Sequence, residues 1–255
     1  MTGDREAQDV RGSTASRHQA QDPFALETLP WTEVARILER DSRLIFPVGA
    51  LEQHGPHLPV GTNAFIVTRL AEVLSREHAV LRAPTLHYGV ALPGLRYAGT
   101  ASLKRKTLNR TVTELLGSWE EHGVTEVIVL TAQRYEPHLD ALLMAMMTES
   151  TTTVVDLYSI DVSDLIRSPN APEHAGEIET AIMLHLAPEL VRTDRLADFP
   201  PDEATVRRYG EGRMPTPPLG SLGVVGRPSL ATAETGARIW ARYVETARTV
   251  FEHTA

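Results

Sequence analysis

A chain of 255 residues, 42% hydrophobic and 23% charged, has the makings of one large folded domain or at most two small ones. Its formal net charge of −8 speaks against a nucleic-acid footprint, and the lack of cysteine excludes disulfides, thiolate metal sites and a cysteine nucleophile. No apolar run approaches the ~18 residues of a membrane span, and the polar N-terminus has no signal-peptide core, so a cytoplasmic protein is expected.

Residues 1–24 are polar and mixed in charge and predict a disordered tail, with residues 25–255 forming a single domain. "RLIFPVG" (Arg43 to Gly49) is a short apolar run closed by Pro and Gly, the pattern of a buried strand. Helical spacing follows in Asn63 to His78, with Asn63 at a suitable N-cap. "AVLRAPTL" predicts a second strand, and Lys106 to Gly123 an amphipathic helix ended by glycine. Thr125 to Ala132 is the clearest buried parallel strand, and "PHLDALLMAMMTES" opens a helix on proline. "TTTVVDLYSI" predicts a fourth strand and "EIETAIMLHLAP" another helix. A Pro/Gly-rich stretch (Arg213 to Ser229) leads to a last helix from about Ala231 to His253. Such alternation predicts an α/β domain with a mostly parallel sheet flanked by helices on both faces, and ligands beyond the carboxyl ends of its strands.

Three loops fall at those ends: "GALEQHGPHLP", "TAQRYEP" and "SPNAPEHAGE". In the first, Glu52 and His54 offer a hard oxygen and an imidazole nitrogen to a cation, and the flanking Gly and Pro residues allow a stiff, preorganised turn. A polar loop that merely satisfies backbone groups would look similar. "EHAGEIET" holds Glu173, His174, Glu177 and Glu179, with Glu177 placed in the first turn of a helix, where its charge is favoured. Helix capping with solvated glutamates is the plain alternative. Two His/Glu clusters at the strand ends of one sheet argue jointly for a site. His87 and His138 lie near strand ends and are candidates to line a pocket, whereas Trp31, Trp119 and Trp240 suit core or interface anchors. The glycines of "VGALEQHG" and "YGEGRMP" form no phosphate-binding pattern.

"FPVGALEQHGPHLPVGTN" resembles the signature of the creatininase family, approximately E-x-H-G-x-H-L-P-x-x-T-D. "YGVALPGLRYAGTASL", "HGVTEVIVLTA", "EHAGEIETAIMLHLAPELVR" and "GVVGRPSLATAETGARIW" resemble further family segments in the same order, covering about residues 30 to 252. The resemblance implies a compact α/β fold and a homo-oligomer, often assembled as a hexamer. It also implies hydrolysis of a C–N bond in a small-molecule or peptide amide at a two-metal centre of zinc, manganese or iron. By this likeness Glu52 and His54 match metal ligands, His57 a structural histidine, His174 a substrate-side histidine, and Glu177 a carboxylate serving as ligand or acid/base.

Several positions depart from the family pattern. Asn63 stands where a metal-bridging aspartate is expected, Gln133 where a ligand histidine is expected, and Ala91 and Ala181 where serine is common. A neutral amide offsets none of the repulsion between two dications, and glutamine is a weaker donor than imidazole. A normal binuclear site is therefore not expected, although one divalent metal could still be held by Glu52 and His54, with Glu177, Tyr135 or Glu136 adding a donor. Three functions stay open. The first is a divergent amidohydrolase, making or breaking an amide- or lactam-type bond, with Glu52, His174 and Glu177 as catalytic groups. The candidate substrate contacts are Arg134, Tyr135, Glu136, Asn63 and Gln133. The second is a metal-independent acid/base enzyme of a specialised biosynthetic pathway, and the third a non-catalytic binding or structural subunit.

Overall fold

Short runs of apolar and β-branched residues pair as a wholly parallel sheet: β1 (Arg43–Val48), β2 (Leu81–Arg82), β3 (Glu126–Thr131) and β4 (Thr151–Asp156), in the order β2-β1-β3-β4. The computed structural model describes residues 22–145, 150–168, 173–200, 202–210 and 217–252. β1 and β3 are central and run in register from Arg43↔Glu126 to Val48↔Thr131, so their carboxyl ends finish side by side.

The pleat sends alternate residues to opposite faces. Ile45, Ile128 and Leu130 pack against α2 (Thr62–His78), α5 (Glu177–Leu186) and α7 (Ala233–Glu252). Leu44, Phe46, Val48, Val127 and Val129 pack against α1 (Trp31–Arg40), α3 (Arg105–Glu120) and α4 (Glu136–Ala145). Both central strands are thus buried on two sides, as their unbroken apolar runs require. The single parallel sheet with helices on both faces agrees with the sequence. A short helix, α6 (Glu203–Gly210), precedes α7. α5 and α7 cross so closely that a Cβ on Gly236 would lie 1.8 Å from the Ala181 carbonyl oxygen, and only glycine fits there.

The differences from expectation are local. α1, a helix beyond those expected from the sequence, carries Val34, Ile37 and Leu38 on one stripe against the core. β2 keeps only two residues of the predicted strand, because beyond Arg82 the chain follows β1 through single bonds, Ala83 N–H to Ile45 and Leu86 N–H to Pro47. Gly61, not Asn63, is the N-cap of α2, which places Asn63 inside the first turn with its side chain turned to the β1 loop. Trp119 packs edge-on to Phe46 and Trp240 joins the α2/α5/α7 core, whereas Trp31 is 80% exposed. At the edge of the tail expected over residues 1–24, Asp22 is ion-paired to Arg82, and Ala25 bridges to it; the rest of that tail lies outside the described residues.

Candidate metal centre

The loop leaving β1 is pinned by backbone bonds before it delivers any side chain. Glu52 N–H donates to the Val60 carbonyl at 2.8 Å, Gln53 N–H to the Thr100 hydroxyl at 2.9 Å, and Leu51 bridges to Ala101. Glu52, Gln53, His54 and His57 are all buried as a result. His54 Nδ1 donates to the Glu52 carbonyl at 2.9 Å, which fixes the tautomer and aims Nε2 inward. There it lies 3.0 Å from Asn63 Oδ1 and 3.6 Å from Glu179 Oε1. A neutral ring would turn a lone pair toward two oxygens, so Nε2 in this position calls for a proton or a cation.

Glu179 and His174 come from the other side of the molecule. His174 is held by an antiparallel bridge to Val225, 2.8 Å each way, and its Nε2 donates to the Gln53 carbonyl at 2.7 Å. The Gln53 side chain donates in turn to the Gly223 carbonyl, and Gly223 has to be glycine: φ is +86° and a Cβ would lie 1.9 Å from Gln53 Oε1. Ala175 takes a left-handed φ of 52°, uncommon for a residue with a side chain, and its N–H donates to Glu179. The Tyr158 hydroxyl donates to the same carboxylate. His54, His174 and Glu179 together bring three ligand atoms within 4.8 Å of one another, all from buried residues.

The charges follow from this packing. Burial alone would depress His54, but Glu179 and then Glu52 more than offset it and raise its pKa to about 9. Burial also works against ionised Glu179, yet His54, His174 and the Tyr158 hydroxyl hold it below the usual carboxylate range. His174 is lowered, first by burial and then by the neighbouring His54 against the pull of Glu52. Glu173, buried with its carboxylate on the Ile178 N–H, is raised to about 7 by burial.

The structure separates the sequence-predicted residues into distinct places. Glu177 is not in the cluster: its carboxylate accepts the backbone N–H groups of Arg167 and Ser168 and the Ser168 hydroxyl. The two glutamates are two apart on α5, which turns them to different sides of the helix, and it is Glu179 that meets His54 and His174. Glu52 lies beside the cluster, where Gln133 Nε2 donates to its Oε2 at 2.6 Å. The orientation of that amide is set by Tyr135, whose N–H donates to Gln133 Oε1 at 3.1 Å. Tyr135 is half-buried, and burial followed by the charge of Glu52 raises its hydroxyl. Arg134 lies with its guanidinium 4.1 Å over the Tyr158 ring. Glu136 is exposed at the first residue of α4.

His57 bonds Thr180 through Nε2 at 2.9 Å and is lowered to about 4 by burial, the behaviour of a structural histidine. His138 is also enclosed, accepting from Val90 N–H and bonding the Thr131 hydroxyl, while His87 is exposed. Residues 169–172 of "SPNAPEHAGE" and residues 213–216 of the Pro/Gly-rich stretch lie outside the described residues. Three contributors escaped sequence reading as site residues: Gln53, Tyr158 and the choice of Glu179. Only Glu179 carried a signal, its place one residue before Thr180-Ala181.

Two imidazoles and an ionised carboxylate are a donor set suited to one divalent ion such as zinc or manganese. They do not fit a second ion at Glu52. Gln133 turns an N–H donor, the positive end of its dipole, toward that carboxylate, where a binuclear site needs a nitrogen lone pair.

A sequence profile described as creatinine amidohydrolase matches residues 27–251. The mycofactocin precursor peptide peptidase of Mycobacterium tuberculosis H37Rv is 31% identical over 224 residues, covering 79% of this chain and 81% of that protein. The creatinine amidohydrolase of Pseudomonas putida is 29% identical over 197 residues, covering 68% and 75%. A mutant creatininase of Zn–Zn type superposes with a TM-score of 0.72 at 24% identity, over 90% of this chain and 98% of that one. The superposition shows the fold, and the profile and the 31% identical relative show that the chain belongs to the creatininase family.

Proposed function

We propose that this chain hydrolyses an amide-type C–N bond at a single-metal centre held by His54, His174 and Glu179. The observation that carries the reading is the convergence of three buried ligand atoms within 4.8 Å. The relatives named as a peptide peptidase and a creatinine amidohydrolase support the bond type. An ion bound there supplies Lewis acidity and lowers the pKa of bound water.

The protein's own groups do the rest. Glu52 lies beside the cluster but is not one of its three ligands, with one oxygen on Gln133. That makes Glu52 the group best placed to accept a proton from water and pass it to a departing amine. Tyr158 and the Ala175 N–H hold Glu179 ionised and oriented. Gln53 fixes the His174 ring by accepting from its Nε2 at the backbone carbonyl, 2.7 Å.

Metal analysis of protein purified without chelator tests this. About one equivalent of zinc or manganese is expected, abolished in His54→Ala and Glu179→Gln, with amide hydrolysis lost on chelation and regained on readdition. An active, metal-free protein would sink the reading. It would favour instead a metal-independent acid/base enzyme, to which one observation lends support: the Gln133 amide donates to Glu52 and the Asn63 oxygen meets His54, where metal-binding side chains were expected.

A further inference from the structure

Arg134 lies three residues past the carboxyl end of β3, and its chemistry is unspent. It follows Gln133, which is bonded to Glu52, and it stacks on Tyr158, which is bonded to Glu179, so it is tied to the metal cluster from two sides. Its Nε is buried with no hydrogen-bond partner, and its guanidinium makes no hydrogen bond or ion pair among the described residues. Burying part of a guanidinium without an acceptor is unfavourable, and five N–H donors in a fixed fork match a carboxylate in a bidentate pair. Glu173 and Asp156 feel its charge, yet neither forms a pair with it. With those two carboxyls and Glu179 nearby, the local field suits a singly charged, planar anion better than a phosphate dianion.

We propose that Arg134 is the substrate's carboxylate anchor, so that the substrates are amides bearing a carboxylate a short distance from the scissile C–N bond. The inference rests on the amide-hydrolase reading for the word "scissile", while anion capture by Arg134 stands on geometry alone. The fork grips the carboxylate, the Tyr158 ring keeps the guanidinium flat, and the amide is left over His54, His174 and Glu179.

Calorimetric binding of paired probes tests it: succinamate, N-acetylglycine and N-acetyl-β-alanine, each against its uncharged methylamide, with zinc content measured on every sample. In the wild-type protein at least one carboxylate is expected to bind at least about 10-fold tighter than its neutral partner. Arg134→Gln should bring that ratio to about one while changing the neutral probe's affinity by less than about twofold. If Arg134→Gln does not fold, Arg134→Lys takes its place, and the ratio should fall by at least about threefold as a point charge replaces the fork. No carboxylate preference in any wild-type pair, or a preference that both variants keep, overturns the proposal. Hydrolysis of neutral amides without charge preference would remove the anchor and leave the hydrolase reading intact. Charge preference lost with Arg134 in a protein that holds no metal would do the reverse.

Discussion

Glu177 and Glu179 show how much one side chain's direction decides. Both are buried in α5, but Glu177 is consumed by the backbone of Arg167 and Ser168, whereas Glu179 faces two histidines. Glu177→Gln should therefore keep its metal and lose about 1–3 kcal/mol of stability, since an amide accepts those N–H donors less well. Urea denaturation and metal analysis together check this; a metal-free Glu177→Gln protein would contradict the assignment. Asn63 and Gln133 are the other pair that sets the chemistry, each bonded to a residue expected to bind metal. Restoring both donors in Asn63→Asp/Gln133→His should raise bound zinc from about one to about two equivalents. Retention of a single equivalent would mean that more than these two side chains separates the two kinds of centre.

Among the elements, β3 and the turn into α4 bear most of the arrangement. β3 ends at Thr131, and within five residues the chain supplies Gln133 to Glu52, Arg134 to Tyr158, and the start of α4. His138 clamps this turn: its Nδ1 accepts from Val90 N–H, which requires a neutral ring, and its other nitrogen bonds Thr131. Burial lowers its pKa to about 3, below the ~6.5 of an unfolded histidine. The unfolded chain thus binds the proton first, and the stability this histidine contributes is full above ~6.5 and lost as pH falls toward the folded value. Urea midpoints should drop between pH 7 and pH 5 more steeply in the wild type than in His138→Gln. Equal slopes would show that other groups dominate acid unfolding.

At the scale of the molecule, the site exists because two bodies of structure close on each other. The β1 loop brings Glu52 and His54, and the α5 entry brings His174 and Glu179, 120 residues later in the case of His174. α5 is held in place by α7, through the contact at Gly236, and by the core of Ile178, Ile182, Ile239 and Tyr243. The isolated bridge at Val225 and the turn at Gly223 finish the wall by fixing His174 and Gln53. Among the described residues no helix is long and apolar enough to cross a membrane.

The parallel sheet, its two helical layers and the family were legible in the sequence, because apolar periodicity and short motifs are local properties of the chain. Glu52, His54 and His174 stood out in the sequence as site candidates, with Asn63 and Gln133 as departures from the family pattern. The structure brings them near one another, with Glu179 rather than Glu52 beside the two histidines. The identity of the cluster's carboxylate was not legible, since neighbouring glutamates on one helix differ only in which face the docked helix presents. Nor were Tyr158 and Gln53, whose roles depend on partners 21 and 121 residues away. Arg134 stood out in the sequence as a candidate substrate contact, but that it finds no hydrogen-bond or ion-pair partner among the described residues is a property of three-dimensional packing. Which charged groups meet, and which are left waiting for a ligand, is decided by how distant segments fold against one another.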